Sequence, residues 1–305
     1  MEDVVNTGLD AAFWRGRRVL LTGHTGFKGA WLALWLQRLG AHVTGVALAP
    51  DTAPSLFTLA GVAGRLDHHV VDIRDAAALA AVVRQVQPEV VLHLAAQALV
   101  RPSYAAPAQT FATNCMGTVH LLDALRGLDS VRVVLVATTD KVYRNREDGR
   151  AFVETDELGG HDPYSASKAA AEVAIASYRD AFLAAAGVAV VSVRAGNVIG
   201  GGDWARDRLL PDAMRAWSAA STLQVRRPDA VRPWQHVLQP LHGYLRLVEC
   251  LWQRPALAGA YNSGPDASQC APVRAVLRLA QLAHGSGALD LAPDPNGVHE
   301  AGMLL

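Results

Sequence analysis

Short apolar runs alternate with longer segments of helical apolar spacing through the first two-thirds of the chain. The runs Arg18–Leu21, Val43–Leu48, His69–Ile73, Val90–Ala95, Val131–Ala137 and Ala189–Val193 predict strands. Phe27–Leu39, Ala76–Val86, Phe111–Leu125 and the stretch that holds Tyr164 and Lys168 and runs to about Ala186 predict helices. The strand runs do not alternate with polar residues, which predicts cover on both faces, as in a parallel sheet. Repeated strand–helix alternation predicts an α/β, doubly wound parallel sheet. After Arg194 the pattern breaks: Gly200-Gly201-Gly202 and Pro211, Pro228, Pro233, Pro240, Pro255 and Pro265 punctuate shorter elements. The expected division is therefore residues 1–194 as one domain and 195–305 as a smaller C-terminal lobe.

Composition narrows the partners. Of 305 residues, 51% are apolar and 18% charged, and the formal net charge is zero. That balance gives no electrostatic case for nucleic acid or for an anionic membrane surface. No run approaches the roughly 20 apolar residues that span a bilayer. The segment Met1–Trp14 carries Glu2, Asp3 and Asp10 and does not read as a signal peptide. Cys115, Cys250 and Cys270 show no C-x-x-C spacing and read as reduced and structural, so a cytoplasmic location is expected and no metal site is.

The first strand runs into Thr22-Gly23-His24-Thr25-Gly26-Phe27-Lys28-Gly29, which opens a helix. Glycines allow positive φ and close backbone approach, and a helix N-terminus offers free N–H groups to a pyrophosphate. In strand–turn–helix context this predicts dinucleotide binding; a tight turn without a ligand is the alternative. The spacing is Gly-x-x-Gly-x-x-Gly rather than Gly-x-Gly-x-x-Gly. The position after the second strand that would hold a ribose hydroxyl falls near Ala47-Leu48, with Asp51 beyond it, and no Arg lies there to hold a 2′-phosphate. NAD is therefore favoured. Asp72-Ile73, after the third strand, is expected to border the adenine, with a turn or cap as the alternative for Asp72.

A second group of residues carries chemistry. Tyr164 and Lys168 stand at i,i+4 on one helix face. An ammonium one turn away favours the phenolate, which makes Tyr164 a candidate base. Alone, Tyr-x-x-x-Lys arises by chance on exposed helices; here Thr138 and Thr139 sit at a preceding strand end, where open α/β sheets bind ligands. Asp140 and Lys141 follow directly. They read as a second acid and base, needed for eliminating water but not for a simple oxidation, or else as a cap and a solvated charge. Thr139 can hydrogen-bond the same sugar hydroxyl as Tyr164.

With these residues the chain resembles the extended short-chain dehydrogenases/reductases that act on nucleotide sugars, and among them the CDP-glucose 4,6-dehydratases. The resemblance runs from about Arg17 to His299-Glu300-Ala301. It rests on Gly23–Trp31, Pro54–Phe57, Ala95–Arg101, Asn114–Leu122, Gly159–Ser165, Arg194–Trp204 and Arg232–Val237. Related dTDP-glucose enzymes carry Asp-Glu where this chain has Asp140-Lys141. The resemblance implies a Rossmann-like domain holding NAD through Gly23, Thr25, Gly26, Phe27, Lys28, Gly29, Asp72, Ile73, Ala95, Ala96, Tyr164 and Lys168. It also implies a lobe that binds CDP-glucose or another nucleotide sugar.

The family's mechanism, as the resemblance carries it over, makes Tyr164 the base for the glucose 4-hydroxyl and passes the C4 hydride to NAD. Lys141 then takes the C5 proton, Asp140 protonates the departing C6 hydroxyl, and the hydride returns to C6. Asn197, Arg208 and Arg232 match positions that hold the diphosphate; ordinary loop roles are their alternatives. Trp204, Trp234 and His236 read as packing residues. The helices Phe111–Leu125 and Ala166–Ala186 are expected to pair with a second subunit, with burial inside one chain as the alternative. Family members continue for a few tens of residues beyond the point that Leu305 matches, which implies a substrate lobe lacking its last elements. The competing readings are a sugar-nucleotide 4-epimerase, which would not need Asp140-Lys141, and a catalytically silent NAD- or nucleotide-binding protein.

Overall fold

The computed structural model describes residues 8–292 and 301–304. Seven parallel strands form one sheet: β1 (Arg18–Thr22), β2 (His42–Ala47), β3 (Asp67–Val70), β4 (Val90–His93), β5 (Val133–Ala137), β6 (Ala189–Ala195) and β7 (Gly259–Ser263). Their order is β7-β6-β5-β4-β1-β2-β3. The order reverses between β1 and β4, and the crevice beyond their C-terminal ends is where such sheets bind ligands. The central strands are apolar throughout because helices cover both faces. Val19, Leu20 and Leu21 of β1 and Val133, Val134 and Leu135 of β5 are fully buried.

The helices are α1 (Phe27–Arg38), α2 (Ala76–Val86), α3, α4 (Pro163–Tyr178), α5 (Leu209–Ser218), α6 (Leu238–Gln253) and α7 (Val273–His284). The α3 helix is built from Pro107–Phe111, a π-helical turn at Ala112–Met116, and Gly117–Ala124. One face of the sheet packs on α1 and α6 in a core that holds Leu32, Leu36, Leu241 and Leu245. The other packs on α2, α3 and α4 around Leu79, Leu121 and Ile175. The α4 helix begins where the Asp162 carboxylate accepts hydrogen bonds from the backbone N–H and hydroxyl of Ser165, with Pro163 at its first turn.

Most expected strand limits move by one to three residues, and three of the shifts have a local reason. The third strand lies over Asp67–Val70 rather than His69–Ile73, because its ladder with β2 runs only from Thr44↔Asp67 to Ala47↔Val70. It is an edge strand, so Asp67 and Val70 face solvent and its pattern is weakly apolar. The fourth strand stops at His93, where the chain leaves the ladder to pass over Gly23; a Cβ at Gly23 would lie 2.6 Å from the Ala95 nitrogen. The sixth extends to Ala195, so Arg194 lies inside the sheet.

Beyond Arg194 the chain returns to the sheet. The α6 helix packs against the sheet face, and β7 pairs with β6 from Gly259↔Val191 to Ser263↔Ala195. The remainder, with α5, α7 and the short parallel pair Thr222–Gln224 and Ala288–Asp290, builds a smaller cluster around Ala213, Trp217, Leu223 and Leu277. His299 and Glu300, where the sequence resemblance ends, lie outside the described residues.

Candidate active site

One cavity of about 1390 Å³ runs along the C-terminal edge of the sheet and under the smaller lobe. It is of a size to hold a dinucleotide and a second large ligand together. Gly23, Thr25, Gly26, Phe27, Lys28 and Gly29 line one end with Asp72, Ile73, Ala95 and Ala96. The backbone explains the glycines. Gly23 has φ +77°, and a Cβ at Gly29 would lie 2.1 Å from the Gly23 carbonyl oxygen. Only glycines let the loop fold this tightly onto the first turn of α1, whose N-cap Gly26 brings no side chain of its own. Beneath the loop the Thr22 hydroxyl accepts hydrogen bonds from the Leu94 and Ala95 N–H groups and pairs with His93 at 2.6 Å. This ties β1 to β4 at the reversal point.

Asp72 is both cavity wall and turn residue. It accepts a hydrogen bond from the Arg74 backbone N–H and is gripped by the Arg74 guanidinium, which holds its carboxyl below the usual range. Arg74 also lines the cavity. A cation thus reaches this end from the loop after β3, where the sequence reading placed no Arg. Its charge is already matched by Asp72.

At the catalytic end, α4 grips the end of β5 through one helix face. The Lys168 ammonium donates to the Ala137 carbonyl at 3.0 Å, and one turn on, Glu172 accepts from the Thr138 hydroxyl at 2.5 Å. This sets Thr139-Asp140-Lys141 beside Tyr164. Burial pushes the Tyr164 phenol up to about 12, offset in part by its hydrogen bond with Thr139. Burial, with Lys28 facing it, brings Lys168 down to about 8. Burial likewise lowers Lys28 to about 8, with Arg208 adding to the effect. Lys28 therefore reaches past the glycine turn toward the catalytic centre, where it donates to the Tyr244 hydroxyl of α6 at 3.2 Å.

Thr139, Lys141, Tyr164 and Lys168 all line the cavity; Asp140 stands just behind them. Its Oδ1 accepts from the Lys141 ammonium at 2.8 Å and from the Thr139 hydroxyl at 3.1 Å. Its Oδ2 is buried near Gly196 without a hydrogen-bond partner. Asn197, Arg208 and Arg232 also line the cavity. Arg208 pairs with Asp203 at 3.0 Å, Arg232 donates to the carbonyls of Ala301 and Gly302, and the Asn197 Oδ1 is buried without a partner. Trp234 donates to the Ala271 carbonyl and so helps hold the lobe together, while Trp204 lines the cavity and His236 is exposed.

Sequence reasoning missed the network that supports this end. Glu172 Oε2 accepts from Ser192 at 2.7 Å and from Arg194 at 2.8 Å; both ion-pair side chains are almost fully buried. Arg194 also donates to the Tyr143 hydroxyl, which in turn donates to Asn262 of β7. One signal was present: Glu172 continues the Tyr164–Lys168 face by a further i+4 step.

These features define a doubly wound α/β protein with a glycine turn and a cluster of titratable side chains in one cavity at the end of its sheet. A family model described as GDP-mannose 4,6 dehydratase matches residues 20–251, and the chain belongs to that family. It is similar to a CDP-glucose 4,6-dehydratase from Salmonella typhimurium, with 43% identity over 97% of this chain and 84% of the relative. A dTDP-glucose 4,6-dehydratase from Xanthomonas campestris is 33% identical over 53% of this chain and 49% of its own length. Among solved structures, the UDP-glucose 4-epimerase of Thermus thermophilus in complex with NAD superposes with a TM-score of 0.79. It is 27% identical, and the match covers 94% of this chain and 89% of that one. The resemblance read from the sequence and the doubly wound fold are both borne out.

Proposed function

We infer that the chain is a CDP-glucose 4,6-dehydratase, a hydro-lyase that uses NAD and forms CDP-4-keto-6-deoxyglucose. One observation carries the reading: the Tyr164–Lys168 pair and Lys141, backed by Asp140, converge beside a glycine cradle in a single cavity. The relative that is 43% identical over nearly the whole chain bears this name.

The residues present fit the cofactor. The tight turn that Gly23 and Gly29 allow brings the N-terminus of α1 to the cavity wall, where its free N–H groups would meet a pyrophosphate, with Thr25, Phe27 and Lys28 around it. Ile73, Ala95 and Ala96 supply an apolar wall, Asp72 stands at the adenosine end, and Tyr164 and Lys168 border the nicotinamide side. Bound there, NAD would supply the hydride-accepting and hydride-donating chemistry that oxidation at sugar C4 and reduction at C6 require.

The chain's own residues manage the protons. Burial raises the Tyr164 phenol, and Thr139 and Arg208 oppose that rise; Tyr164 removes the 4-hydroxyl proton while Thr139 orients that hydroxyl. The 4-ketone acidifies the hydrogen on C5. Lys141 takes that proton and Asp140 protonates the departing C6 hydroxyl. Arg208, Arg232 and Asn197 supply cations and a polar group for the diphosphate.

Incubation with NAD⁺ and a panel of CDP-, dTDP-, UDP- and GDP-glucose tests the reading by mass spectrometry. Loss of water from CDP-glucose is the expected result. A 4-epimer of unchanged mass would make the chain an epimerase, and cofactor binding without turnover would leave a binding protein. Lys141→Ala should lower turnover by roughly 10²- to 10⁴-fold while the cofactor still becomes reduced in a single turnover. Normal turnover by this variant would remove Lys141 from the elimination.

A homodimer is part of the proposal. Phe111 and Met116 of α3, Val173 of α4 and Phe182 just beyond it are exposed large apolar residues on the two helices expected to pair. All three cysteines are unpaired, in keeping with a reducing compartment, and we propose the cytoplasm as the site of action. Among the described residues no helix is long and apolar enough to cross a membrane.

A further inference from the structure

We propose that Asn145 and Glu147 are positioning residues for the diphosphate of the sugar nucleotide. They act through the backbone of residues 301–303, whose carbonyls hold the Arg232 guanidinium. The inference rests on the reading of Arg232 as a diphosphate ligand. It is carried by an unbroken line of hydrogen bonds from the loop after Lys141 to the lobe.

The line starts in a strained turn. Residues 144–147 follow the helical turn Asp140–Val142 and Tyr143. Glu147 stands at φ +53°, in left-handed backbone that a side chain disfavours. Asn145 holds it there: its Oδ1 accepts from the Glu147 N–H at 2.8 Å, and its Nδ2 donates to the Met303 carbonyl at 2.8 Å. The turn aims Glu147, whose Oε1 accepts from the Gly302 N–H at 2.6 Å. Two side chains of one loop thus grip successive residues of a segment 155 or more positions further along the chain.

On its other side that segment joins the lobe. The Val231 N–H donates to the Gly302 carbonyl at 3.0 Å, and the Leu304 N–H to the Val231 carbonyl at 3.1 Å. Leu304 is 2% exposed. These bonds present the Ala301 and Gly302 carbonyls to Arg232, which donates to the first through Nη2 and to the second through Nη1 at 3.3 Å. Arg232 is 8% exposed and lines the cavity, as do Asn145, Glu147 and Ala301.

The kind of acceptor decides the effect. Carbonyls are neutral, so they fix the direction of the guanidinium without cancelling its charge. A diphosphate that met a loose arginine would bear the entropy of ordering it; held in advance, the forked cation is ready for phosphate oxygens. Glu147 is otherwise out of place, because a carboxylate on the wall of this cavity repels an anion. Its bond to Gly302 gives it a use there.

Calorimetric titration of CDP into the full chain loaded with NAD⁺ tests the line, since CDP carries the diphosphate and does not turn over. Arg232→Met should weaken binding roughly tenfold or more, through loss of a charge-assisted contact. Glu147→Ala should weaken it roughly fivefold, while Glu147→Gln, which keeps an acceptor, should lose about twofold or less. The double variant Glu147→Ala/Arg232→Met should bind no more weakly than Arg232→Met alone. Arg232→Lys, which cannot fork onto two carbonyls, takes the place of Met in the cycle if that variant does not fold. With CDP-glucose, Glu147→Ala should raise KM by the same factor as the CDP Kd, with kcat falling far less. Additive losses in the double variant, unchanged CDP binding by Glu147→Ala or by Arg232→Met, or a kcat loss as large as the rise in KM would each overturn the inference. None of these touches the dehydratase reading, which fails only if the wild-type protein releases no water from CDP-glucose.

Discussion

Tyr164→Phe should lower kcat/KM for CDP-glucose by roughly 10²- to 10⁴-fold, with little change in thermal stability. In the proposed mechanism the phenol takes the 4-hydroxyl proton, with Lys168 one helical turn away and itself fixed on the Ala137 carbonyl. Every later step depends on that oxidation, because C5 becomes acidic only once C4 is a ketone. The variant should therefore show neither water loss nor transient cofactor reduction, which separates it from Lys141→Ala. Phe fills the same buried space and loses only the hydrogen bond with Thr139, worth about 1 kcal/mol. Melting and steady-state assays on the same preparation check both halves. Activity within a few-fold of wild type would place the base elsewhere.

Glu172→Ala should act on stability first. It leaves the Arg194 guanidinium, 5% exposed, without its carboxylate, and strips the acceptor from Thr138 and Ser192. Breaking a buried pair by removing one partner costs about 3–5 kcal/mol. In a chain of this size that corresponds to a fall in Tm on the order of 10 °C. Glu172→Gln, which keeps an acceptor, should lose less. Activity should fall as well, because the Glu172–Thr138 bond helps set the strand end that carries Thr139, Asp140 and Lys141. A melting curve within about 2 °C of wild type for the Ala variant would mean that Arg194 finds another partner, at odds with how such buried charges behave.

How far the site was legible depended on distance along the chain. The glycine loop was readable because its constraint is local: Gly23 needs positive φ, and Gly29 must let the Gly23 carbonyl approach. Tyr164–Lys168 and Asp140–Lys141 were readable because helix periodicity and strand-end position are both sequence properties. The third strand was misplaced because edge strands are not forced to be apolar, so Asp67 and His68 in the ladder look like loop. Arg194 was read as the point where the pattern stops. It is the last charged side chain of a buried strand, tolerated there because Glu172 arrives from a helix and Tyr143 from the loop after β5. Nothing in the neighbourhood of Arg194 announces either partner.

By itself, the sequence determined the doubly wound sheet, the glycine turn and the candidate proton-transferring groups. Each follows from periodicities of two or 3.6 residues, or from backbone needs within one loop. Only the tertiary structure decided how those groups are connected. It set Lys28 near Lys168, engaged Arg232 with the carbonyls of Ala301 and Gly302, placed Asp140 behind Lys141, and hydrogen-bonded Thr139 to Asp140. Burial and charge pairing act across space between residues far apart in the chain, and a linear pattern does not record them.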